Sequence, residues 1–569
     1  MFLRLNNRFK DGKDHRYWSI VENRRLSDGR VVQRTVLYLG EINDSQRAAW
    51  QKSMEVFDQG AEDNRQMRLF AEDSGMPVDD TDAIHVKLSE IELRHPRRFG
   101  DCWLVCHLWE QLELDDFWLE RLPPGREAVR WSKVLKLLVV YRMIAPGSEW
   151  ELHRRWFDQS AMDELLGGDF ILAEKNRLYR CLDRLLEHKA ALFSHLRKRW
   201  CDLLCAKFDV ALYDLTSIYF EGQMSEYGKA RHGYSRDGRF DCRQVVIGLV
   251  VSEEGFPVGY EVMPGNTQDG TTLRQFREKI EAQYGQVNRI WVMDRGVPTE
   301  DTLAQMRECM APVYYLVGAP RGRLNELEKG FGQLPWIEAR DGVQVKLQRH
   351  GNEVYVLSRS EARRQKERAI RRRKLKNLWA TLRRLRAQRP RREELLLRLG
   401  VAKKEAGRVY AMVKIRLPRE GEPVNAGSFR FELRKDKLQK AQRRAGQYLL
   451  RSNLVGKHPV ELWEQYIKLG EIEAAIKTLK SDLVIRPVFH RLAHRIEAHI
   501  FVTFLAYCLW VTLKKRLAQH APGLIPREAL DKLAGIELVD VCLPTTDGRL
   551  LVMPRTPSRA KSRPCCWRN

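Results

Sequence analysis

The sequence lacks the features that mark membrane-spanning, secreted and zinc-binding proteins. Its longest apolar run, residues 500–513, is shorter than the ~20 residues that a helix needs to cross a bilayer, so a buried core helix is expected there. The first residues carry neither a long apolar core nor a small-residue cleavage site, so no secretory signal is expected. No Cys-x-x-Cys pair occurs among the 11 cysteines, which favours free thiols in a reducing cytoplasm over zinc or disulfides.

Acidic residues are also in the minority. The 569 residues include 75 Asp and Glu against 100 Lys and Arg, which gives a net charge of +25. This excess indicates a polyanionic partner, nucleic acid before an anionic membrane, while a hydrophobic fraction of 43% allows several cores. Residues 361–408 alone carry 19 Lys and Arg against 5 Asp and Glu, a net of +14. More than half of the excess therefore lies in one segment.

The spacing of apolar residues changes several times along the chain. Residues 17–40 alternate around a Ser-Asp-Gly turn and predict a β-hairpin. Helical spacing runs from residue 84 to about residue 206, and residues 460–483 predict one periodic helix. In chain order we expect an N-terminal β-hairpin region (1–56), an acidic linker (57–83), a helical domain (84–206), the first part of an α/β core (207–320), an insertion with a basic helix (321–455), the second part of the core (456–515) and a C-terminal region (516–569).

The α/β core has a recognisable order of elements. Residues 208–318 predict five strands and two helices in the order βββαβαβ. This order joins an antiparallel start to crossover strands, which is the plan of the RNase H-like fold. The predicted fold class is therefore α/β: an RNase H-like mixed sheet with a β-rich and basic-helical insertion, preceded by a β-hairpin and an all-helical domain.

Two acidic residues belong to neighbouring strands of this predicted sheet. Asp214 stands within the first strand among apolar residues, where an unpartnered carboxylate is costly to bury. Asp294 follows the fourth strand, at a position where side chains point into a ligand crevice. A strand-edge Asp facing water and an ordinary turn Asp are the plainer interpretations. Together the two residues favour carboxylates that hold divalent cations against a phosphate.

A third carboxylate is expected from the helix over residues 460–483. Tyr466, Glu473 and Lys480 are spaced by seven residues, about two helical turns, so they stack on one face. Apolar residues form a separate stripe, which lets the helix bury one side and present the other to a site. A solvated charged face would have the same spacing. Glu497, another helical acid near basic residues, is the alternative third carboxylate.

These residues resemble the DDE transposases of bacterial insertion sequences, in the group marked by a Tyr-x2-Arg-x3-Glu-x6-Lys signature. In YIKLGEIEAAIKTLK the signature positions are Tyr466, Glu473 and Lys480, and Leu469 stands where the group has Arg. The segments LYDLTSIYFEG and VMDRGVPTEDTL are similar to the family's first and second Asp blocks. No phosphate contact is assigned at Leu469.

The resemblance implies a DNA transposase that cuts at insertion-sequence ends and joins them to target DNA by a cut-and-paste route. Asp214, Asp294 and Glu473 would be the catalytic residues and the ligands of Mg²⁺ or Mn²⁺. The helical domain would bind DNA ends, and joining two ends implies a homodimer or a higher synaptic assembly, in the cytoplasm and on the nucleoid when acting. The core residues that would contact DNA are Tyr466, Lys480 and Arg295.

The basic segment is predicted to be a helix with one apolar face. Leucines recur every three to four residues from Leu375 to Leu385, so that face can dock, and Pro390 is expected to end the helix. The other faces suit contact with the phosphate backbone, although a solvated charged helix is the plainer alternative. Membrane binding is disfavoured because Trp379 is the only aromatic. The expected phosphate contacts are Arg371, Arg372, Arg373 and Lys374.

Other residues have plainer explanations than catalysis. His490 and His494 are four residues apart and would suit a metal on a helix, but no third ligand stands at a clear spacing. Asp237, Asp241 and Asp269 are expected to form loops and turns. Two other functions fit the same residues: a structure-specific DNA nuclease that uses the three acids, and a non-catalytic DNA-binding protein derived from such an enzyme.

Overall fold

The N-terminal strands form a small sheet of their own. In this computed structural model, β1 (Phe2–Lys10), β2 (Lys13–Arg25) and β3 (Val31–Gly40) pair antiparallel in the order β1-β2-β3. The β2–β3 pairing confirms the predicted hairpin, and β1 extends it. The structure describes residues 2–10, 13–25, 31–40, 86–124, 130–167, 170–268, 272–284, 289–308, 313–320, 322–546 and 548–556, so the predicted acidic linker and Asp269 lie outside the described residues.

The next region is helical, but it begins with a strand. Residues 92–98, within the range predicted to be helical, form β4 (Glu92–Arg98), which pairs with a strand near the C-terminus. Alternate positions Leu93, His95 and Arg97 suit the edge of a sheet better than a helix, because Pro96 interrupts helical hydrogen bonding. The helices that follow are α1 (Gly100–Gln111), α2 (Leu114–Arg121), α3 (Trp131–Ile144), α4 (Lys175–Leu182) and α5 (Lys189–Leu204), with short helical turns at Glu149–Glu151, Leu152–Trp156 and Met162–Leu165.

The predicted core elements form in the predicted order. The strands β5 (Val210–Tyr219) and β6 (Gln244–Ser252) are almost completely buried on both faces, as expected of strands at the centre of a sheet. The strands β5, β6 and β7 pair antiparallel, and β8 and β9 continue from β5 in parallel. These elements are β5 (Val210–Tyr219), β6 (Gln244–Ser252), β7 (Pro257–Pro264), α6 (Leu273–Tyr284), β8 (Ile290–Met293), α7 (Glu300–Glu308) and β9 (Tyr314–Gly318).

The strands of the insertion extend the core sheet. The last of them pairs antiparallel with β9, which gives nine strands in the order β10-β11-β12-β15-β9-β8-β5-β6-β7. This pairing covers an edge that would otherwise expose unpaired backbone groups. The insertion comprises α8 (Arg323–Gly332), β10 (Ile337–Arg340), β11 (Val343–His350), β12 (Glu353–Ser360), α9 (Glu361–Gln388), α10 (Arg392–Ala406), β13 (Val413–Arg416), β14 (Arg430–Leu433), α11 (Lys435–Arg443) and β15 (Gln447–Ser452).

The basic segment is a helical hairpin with a core of its own. The helix α9 ends at Gln388 and α10 begins at Arg392, so the break lies where Pro390 predicted it. The predicted apolar face is confirmed, since Leu378, Leu382 and Leu385 are buried against α10. This small core also contains residues of β13 and β14 and is separate from the main core.

The predicted helix over residues 460–483 is two helices. They meet at Lys468, which ends the first and precedes the second, and the weak helix former Gly470 follows in the first turn. The apolar run at residues 500–513 is a buried core helix as predicted: its helix is long and apolar enough to cross a membrane, but 94% of the apolar window is buried in the protein. The C-terminal elements are α12 (Pro459–Ile467), α13 (Leu469–Ser481), α14 (Ala493–His520), α15 (Pro526–Leu533), β16 (Glu537–Pro544) and β17 (Leu550–Arg555).

The helix α14 lies between the helical region and the core sheet. Phe501 contacts Trp118 of α2 edge-on, with ring centroids 6.2 Å apart. Phe504 stacks on Tyr260 of β7 at 4.0 Å. Helical region and sheet therefore share one continuous hydrophobic core.

Candidate active site

Two carboxylates follow a pair of residues that face each other on adjacent parallel strands. Tyr213 of β5 pairs with Met293 of β8; Asp214 follows the first and Asp294 follows the second. Asp214 is half-buried, while Asp294 is exposed just beyond the end of β8. Because the strands are parallel, both side chains lie at the same level of the sheet, as the sequence predicted.

Strand alternation places Asp214 on the side of the sheet that faces α14. Asp214 pairs with Leu249, and Leu249 pairs with Tyr260, so these three side chains share one face. Tyr260 on that face stacks on Phe504 of α14. Tyr213 points the opposite way, towards Phe276 of α6, with ring centroids 5.6 Å apart.

The helix that carries Glu473 packs on this same side. It contacts β5, β6 and α14, and it buries Ile472 and Leu479. Glu471 is fixed to α14 by an ion pair with Lys514, with 2.6 Å between Oε2 and Nζ. Glu473 lies on the exposed side of the helix. Asp214, Asp294 and Glu473 are thus supplied by two strands and a helix on one side of the sheet.

Tyr466 reaches the site from the preceding helix. Its hydroxyl donates to Asp294 Oδ1 at 3.5 Å. The approach depends on Gly318 in β9, where a Cβ atom would lie 2.7 Å from the Tyr466 hydroxyl. Burial, together with the negative charge of Asp294, raises the pKa of Tyr466, so the phenol is a neutral donor. The break at Lys468 means that Tyr466 and Glu473 lie on two helices and do not stack along one.

Lys480 is held by an acidic residue of the loop between β5 and β6. Its Nζ lies 2.9 Å from Asp237 Oδ1, and Arg486 binds the same carboxylate through two nitrogens at 2.9 and 3.0 Å. Burial alone would raise the pKa of Asp237, but the hydrogen bonds from Arg486 and Lys480 outweigh it and lower that pKa. Asp237, predicted only to form a turn, therefore positions the Lys of the signature.

The three carboxylates provide a donor set that suits a hard divalent cation. Carboxylate oxygens are the ligands that Mg²⁺ and Mn²⁺ prefer. Among the described residues, no Lys, Arg or His forms an ion pair with Asp294 or Glu473. Exposed carboxylates without basic partners keep their oxygens available as ligands. The residues present therefore fit a divalent cation.

Glu497, the alternative third carboxylate, is engaged elsewhere. It accepts hydrogen bonds from the Tyr227 hydroxyl at 2.9 Å and from Lys229 Nζ at 2.7 Å. Asp241 is likewise paired with Arg239 at 3.0 Å. These contacts fix the loop between β5 and β6 and leave neither acid directed to the two Asp residues.

The predicted spacing of His490 and His494 does not create a metal site. His490 precedes the start of α14, so the two residues do not share a helix face. His494 Nε2 lies 2.8 Å from Asp183 Oδ1. His490 Nε2 lies 3.2 Å from Glu149 Oε1.

A buried group formed by Glu149, His490 and His499 brings three potential ligand atoms within 4.8 Å of one another. Both ring nitrogens of His499 already have partners, since Nδ1 lies 3.4 Å from Arg142 and Nε2 lies 3.3 Å from the Ile485 carbonyl. The buried Arg142 guanidinium supplies the positive charge that a metal would supply. The group therefore behaves as a buried hydrogen-bonded network.

Only two of the four residues predicted to contact phosphates are exposed on the basic hairpin. Arg372 and Arg373 are exposed on α9. Arg371 instead donates to the Ala441 carbonyl at 3.2 Å, and Lys374 is half-buried. Arg295, beside Asp294, is exposed.

The cysteines divide by burial. Cys102 and Cys106 are buried within α1, whereas Cys201 and Cys205 at the end of α5 are exposed. Among the described residues, the cysteines are free thiols and none belongs to the one group of potential metal ligands.

Comparisons with known proteins give two family matches. A family model described as the transposase DDE domain matches residues 206–509, more than half of the chain. A second, described as the N-terminal domain of IS1634 family transposases, matches residues 3–59. No curated protein sequence matches the chain.

One similar solved structure is a cryo-EM structure of a piggyBac transposase synaptic complex with hairpin DNA, at 10% identity and a TM-score of 0.35. The alignment covers 78% of this chain and 82% of that one.

Proposed function

The chain belongs to the transposases with a DDE domain, and we propose that Asp214, Asp294 and Glu473 are its catalytic carboxylates. It is a DNA transposase of the insertion-sequence type, an enzyme of DNA transposition. The observation that carries the proposal is the register of β5 and β8, which brings Asp214 and Asp294 to one level of the sheet on the side where α13 carries Glu473.

We place the protein in the group with the Tyr-Arg-Glu-Lys signature and assign the core to the RNase H-like fold. Tyr466, Glu473 and Lys480 supply three of the four signature positions, and Leu469 departs from the fourth. The hydrogen bond from Tyr466 to Asp294 supports a shared site for these residues. The antiparallel β5-β6-β7 and the parallel β8 and β9 support the fold assignment.

The proposed reaction is cut-and-paste transposition. The three carboxylates would hold Mg²⁺ or Mn²⁺, which when bound activates the attacking oxygen and stabilises the leaving one. In the first step a water oxygen attacks the phosphorus at the element end, and the 3′ oxygen leaves and takes up a proton. In the second step that 3′-hydroxyl loses its proton and attacks a target phosphodiester, and the 3′ oxygen of the target strand leaves and takes up a proton. Tyr466 and Arg295 border Asp294 and would hold the phosphate in line.

DNA binding is proposed for several surfaces of the chain. The exposed Arg372 and Arg373 on α9 would neutralise phosphates and supply affinity without sequence readout. The helical region is proposed to bind the element ends. Joining two ends requires two active sites, so we propose a homodimer or a larger synaptic assembly, acting in the cytoplasm on nucleoid DNA.

Separate substitutions of the carboxylates test this function. Asp214→Asn, Asp294→Asn and Glu473→Gln should each abolish cleavage of a DNA carrying the element end, in Mg²⁺, and leave binding of that DNA intact. Glu497→Gln is the matched control, because its carboxylate is bonded to Tyr227 and Lys229. Full cleavage by any of the three variants would remove that residue from the site.

The same assay separates the alternative functions. A supercoiled target plasmid is added with the element-end DNA, and joined products are measured beside cleaved ones. Cleavage without joining would indicate a nuclease, and binding without either would indicate a non-catalytic DNA-binding protein.

A further inference from the structure

The three most exposed aromatic side chains of the described residues belong to two segments that contact each other. Tyr234, Phe489 and Phe240 are 76%, 67% and 65% exposed, and the next aromatic, Trp150, is 46% exposed. Tyr234 and Phe240 belong to the loop between β5 and β6. Phe489 follows Val488, which bridges to Phe220 at the start of that loop. We call Tyr234, Phe240 and Phe489 the ring patch.

An acid at the centre of the loop ties the members of the ring patch to one another. Asp237 lies three residues after Tyr234 and three before Phe240. Its carboxylate binds Arg486, three residues before Phe489. The segments that carry the rings are therefore joined through Asp237, and Arg239 and Arg486 both lie over the Tyr219 ring, at 4.9 and 5.9 Å from its centroid.

The backbone that carries Tyr234 is held firmly, so its exposure is a fixed property of the fold. Gln244 Nε2 donates to the Tyr234 carbonyl at 3.0 Å. The preceding Gly233 packs directly against the backbone that follows β7, where a Cβ atom on residue 233 would lie 2.1 Å from the Gly265 carbonyl oxygen. A backbone that is already held in place lowers the entropic cost of binding, which is then limited to the rotamer freedom that the side chain loses.

The surroundings of the ring patch are basic. Residues 229–243 contain five Lys and Arg and one His against two Asp. Both of these Asp residues are already in ion pairs, Asp237 with Lys480 and Asp241 with Arg239. Aromatic rings interleaved with cations are the combination that binds single-stranded nucleic acid, in which bases stack on rings and phosphates meet the charges.

The ring patch also lies close to the proposed catalytic carboxylates. Asp237, at the centre of the loop, lies 2.9 Å from Lys480, which follows Glu473 by seven residues on α13. At the rise of a helix this is roughly 10 Å from Glu473. DNA whose phosphate is bound at the carboxylates would therefore bring the adjacent nucleotides to the rings.

We propose that the ring patch binds unpaired bases of the DNA beside the cleavage site by stacking. Base faces are hidden within a duplex and become available only where the strands separate, so the patch would favour an opened or frayed DNA end over a paired one. This proposal rests on the proposed active site for its position, but its binding chemistry needs no catalysis.

The test compares two probes that differ only in unpaired bases. The full chain is titrated in EDTA into a fluorescein-labelled duplex that is either blunt or ends in a short single-stranded tail. We expect tighter binding of the tailed duplex by about tenfold or more. Combined replacement of Tyr234, Phe240 and Phe489 by Ala should remove this preference and leave binding of the blunt duplex unchanged.

Two further variants make the result specific to the rings. Tyr234→Phe together with Phe240→Tyr and Phe489→Tyr keeps every ring and should keep the preference. Trp150→Ala removes an exposed aromatic elsewhere and should have no effect. A preference that survives the triple Ala replacement, or its absence in the unmodified chain, would overturn the proposal.

The outcome is independent of that for the proposed active site. Because EDTA prevents metal-dependent cleavage, the tail preference is measured without catalysis, and cleavage in Mg²⁺ by Asp214→Asn is measured separately. Cleavage by Asp214→Asn with a normal tail preference would count against the active site alone. Loss of cleavage in Asp214→Asn without any tail preference in the unmodified chain would count against the ring patch alone.

Discussion

Lys480 and Asp237 form an ion pair in which each side chain is only about a tenth exposed, 11% and 9% respectively. The pair joins the helix that carries Glu473 to the loop between β5 and β6. Lys480 thus has a defined partner within the protein. Any phosphate that binds the Lys480 ammonium must therefore share this group with Asp237 or displace Asp237.

Replacement of Asp237 by Asn should destabilise the protein. The change leaves Lys480 and Arg486 with one neutral partner, and removal of the charged partner of a largely buried cation costs roughly 1–3 kcal/mol. Urea denaturation at pH 7 measures the loss. Asp241→Asn, which breaks the exposed pair with Arg239, is the control, and an equal loss in both variants would contradict the special role of Asp237.

Replacement of Tyr466 by Phe should slow cleavage and leave the fold intact. The hydroxyl that reaches Asp294 is removed, while the ring that packs beside Tyr448 at 6.4 Å remains. Loss of one such hydrogen bond corresponds to about tenfold in rate. Single-turnover cleavage measures the effect. Tyr410→Phe, in the helical turn that follows α10, is the control, and unchanged cleavage by Tyr466→Phe would show that the hydroxyl takes no part.

Neutralisation of the exposed face of α9 should weaken the dependence of DNA binding on salt. Arg372, Arg373, Lys376 and Arg383 form no ion pairs with described residues, and each phosphate contact adds about 0.9 to the slope of log K against log salt. Their joint replacement by Gln should lower the slope by up to about 4. Binding is measured over a range of NaCl concentrations.

The control for this experiment removes cations that already have acidic partners. Arg274 and Lys279 on α6 are paired with Glu278 and Glu261. Their replacement by Gln should leave the slope as it is. A slope that stays constant in the α9 variant would mean that this helix does not touch phosphates.

The free energy of unfolding should fall as the pH drops below 6.5, because the buried His499 resists protonation. Burial, together with the charges of Arg142 and His490, lowers the pKa of His499 well below its usual value, although Glu149 opposes this. Below pH 6.5 the unfolded chain therefore takes up a proton that the folded chain does not. Stability falls by about 1.4 kcal/mol per pH unit in that range from this group alone.

The comparison with His499→Gln isolates this contribution. Gln can still accept from Arg142 but does not titrate, so its loss of stability between pH 6.5 and 5.5 should be smaller by about 1 kcal/mol. Thermal melting over that range measures the difference. His232→Gln, at an exposed position, is the control, and parallel curves for the unmodified chain and His499→Gln would refute the assignment.

The elements that the sequence predicts well are those determined by local pattern. The strand β6 is an almost continuous apolar run, and the break at Pro390 follows from one residue that cannot continue a helix. Contacts between distant segments carry no such local signal. The pairing of β4 with β16 joins residues more than 400 positions apart, and the pairing of β15 with β9 spans the whole insertion.

The same limit applies to the candidate site. Spacing by seven predicted Tyr466, Glu473 and Lys480 as a set, but it could not show the break at Lys468 or the partner of Lys480. Asp237 stands in a basic, glycine-containing loop that is typical of turns. The only signal for its role is an acid surrounded by arginines, which surface loops share.

The continuous core around α14 limits how this protein can be recombined with its relatives. Phe501 and Phe504 pack on opposite neighbours, so a chimaera that exchanges the helical region alone would place mismatched side chains against an unchanged helix. The helical hairpin of α9 and α10 shares a separate apolar cluster with β13 and β14. The hairpin and these two strands can therefore be exchanged as a unit, whereas the helical region and the sheet must change together.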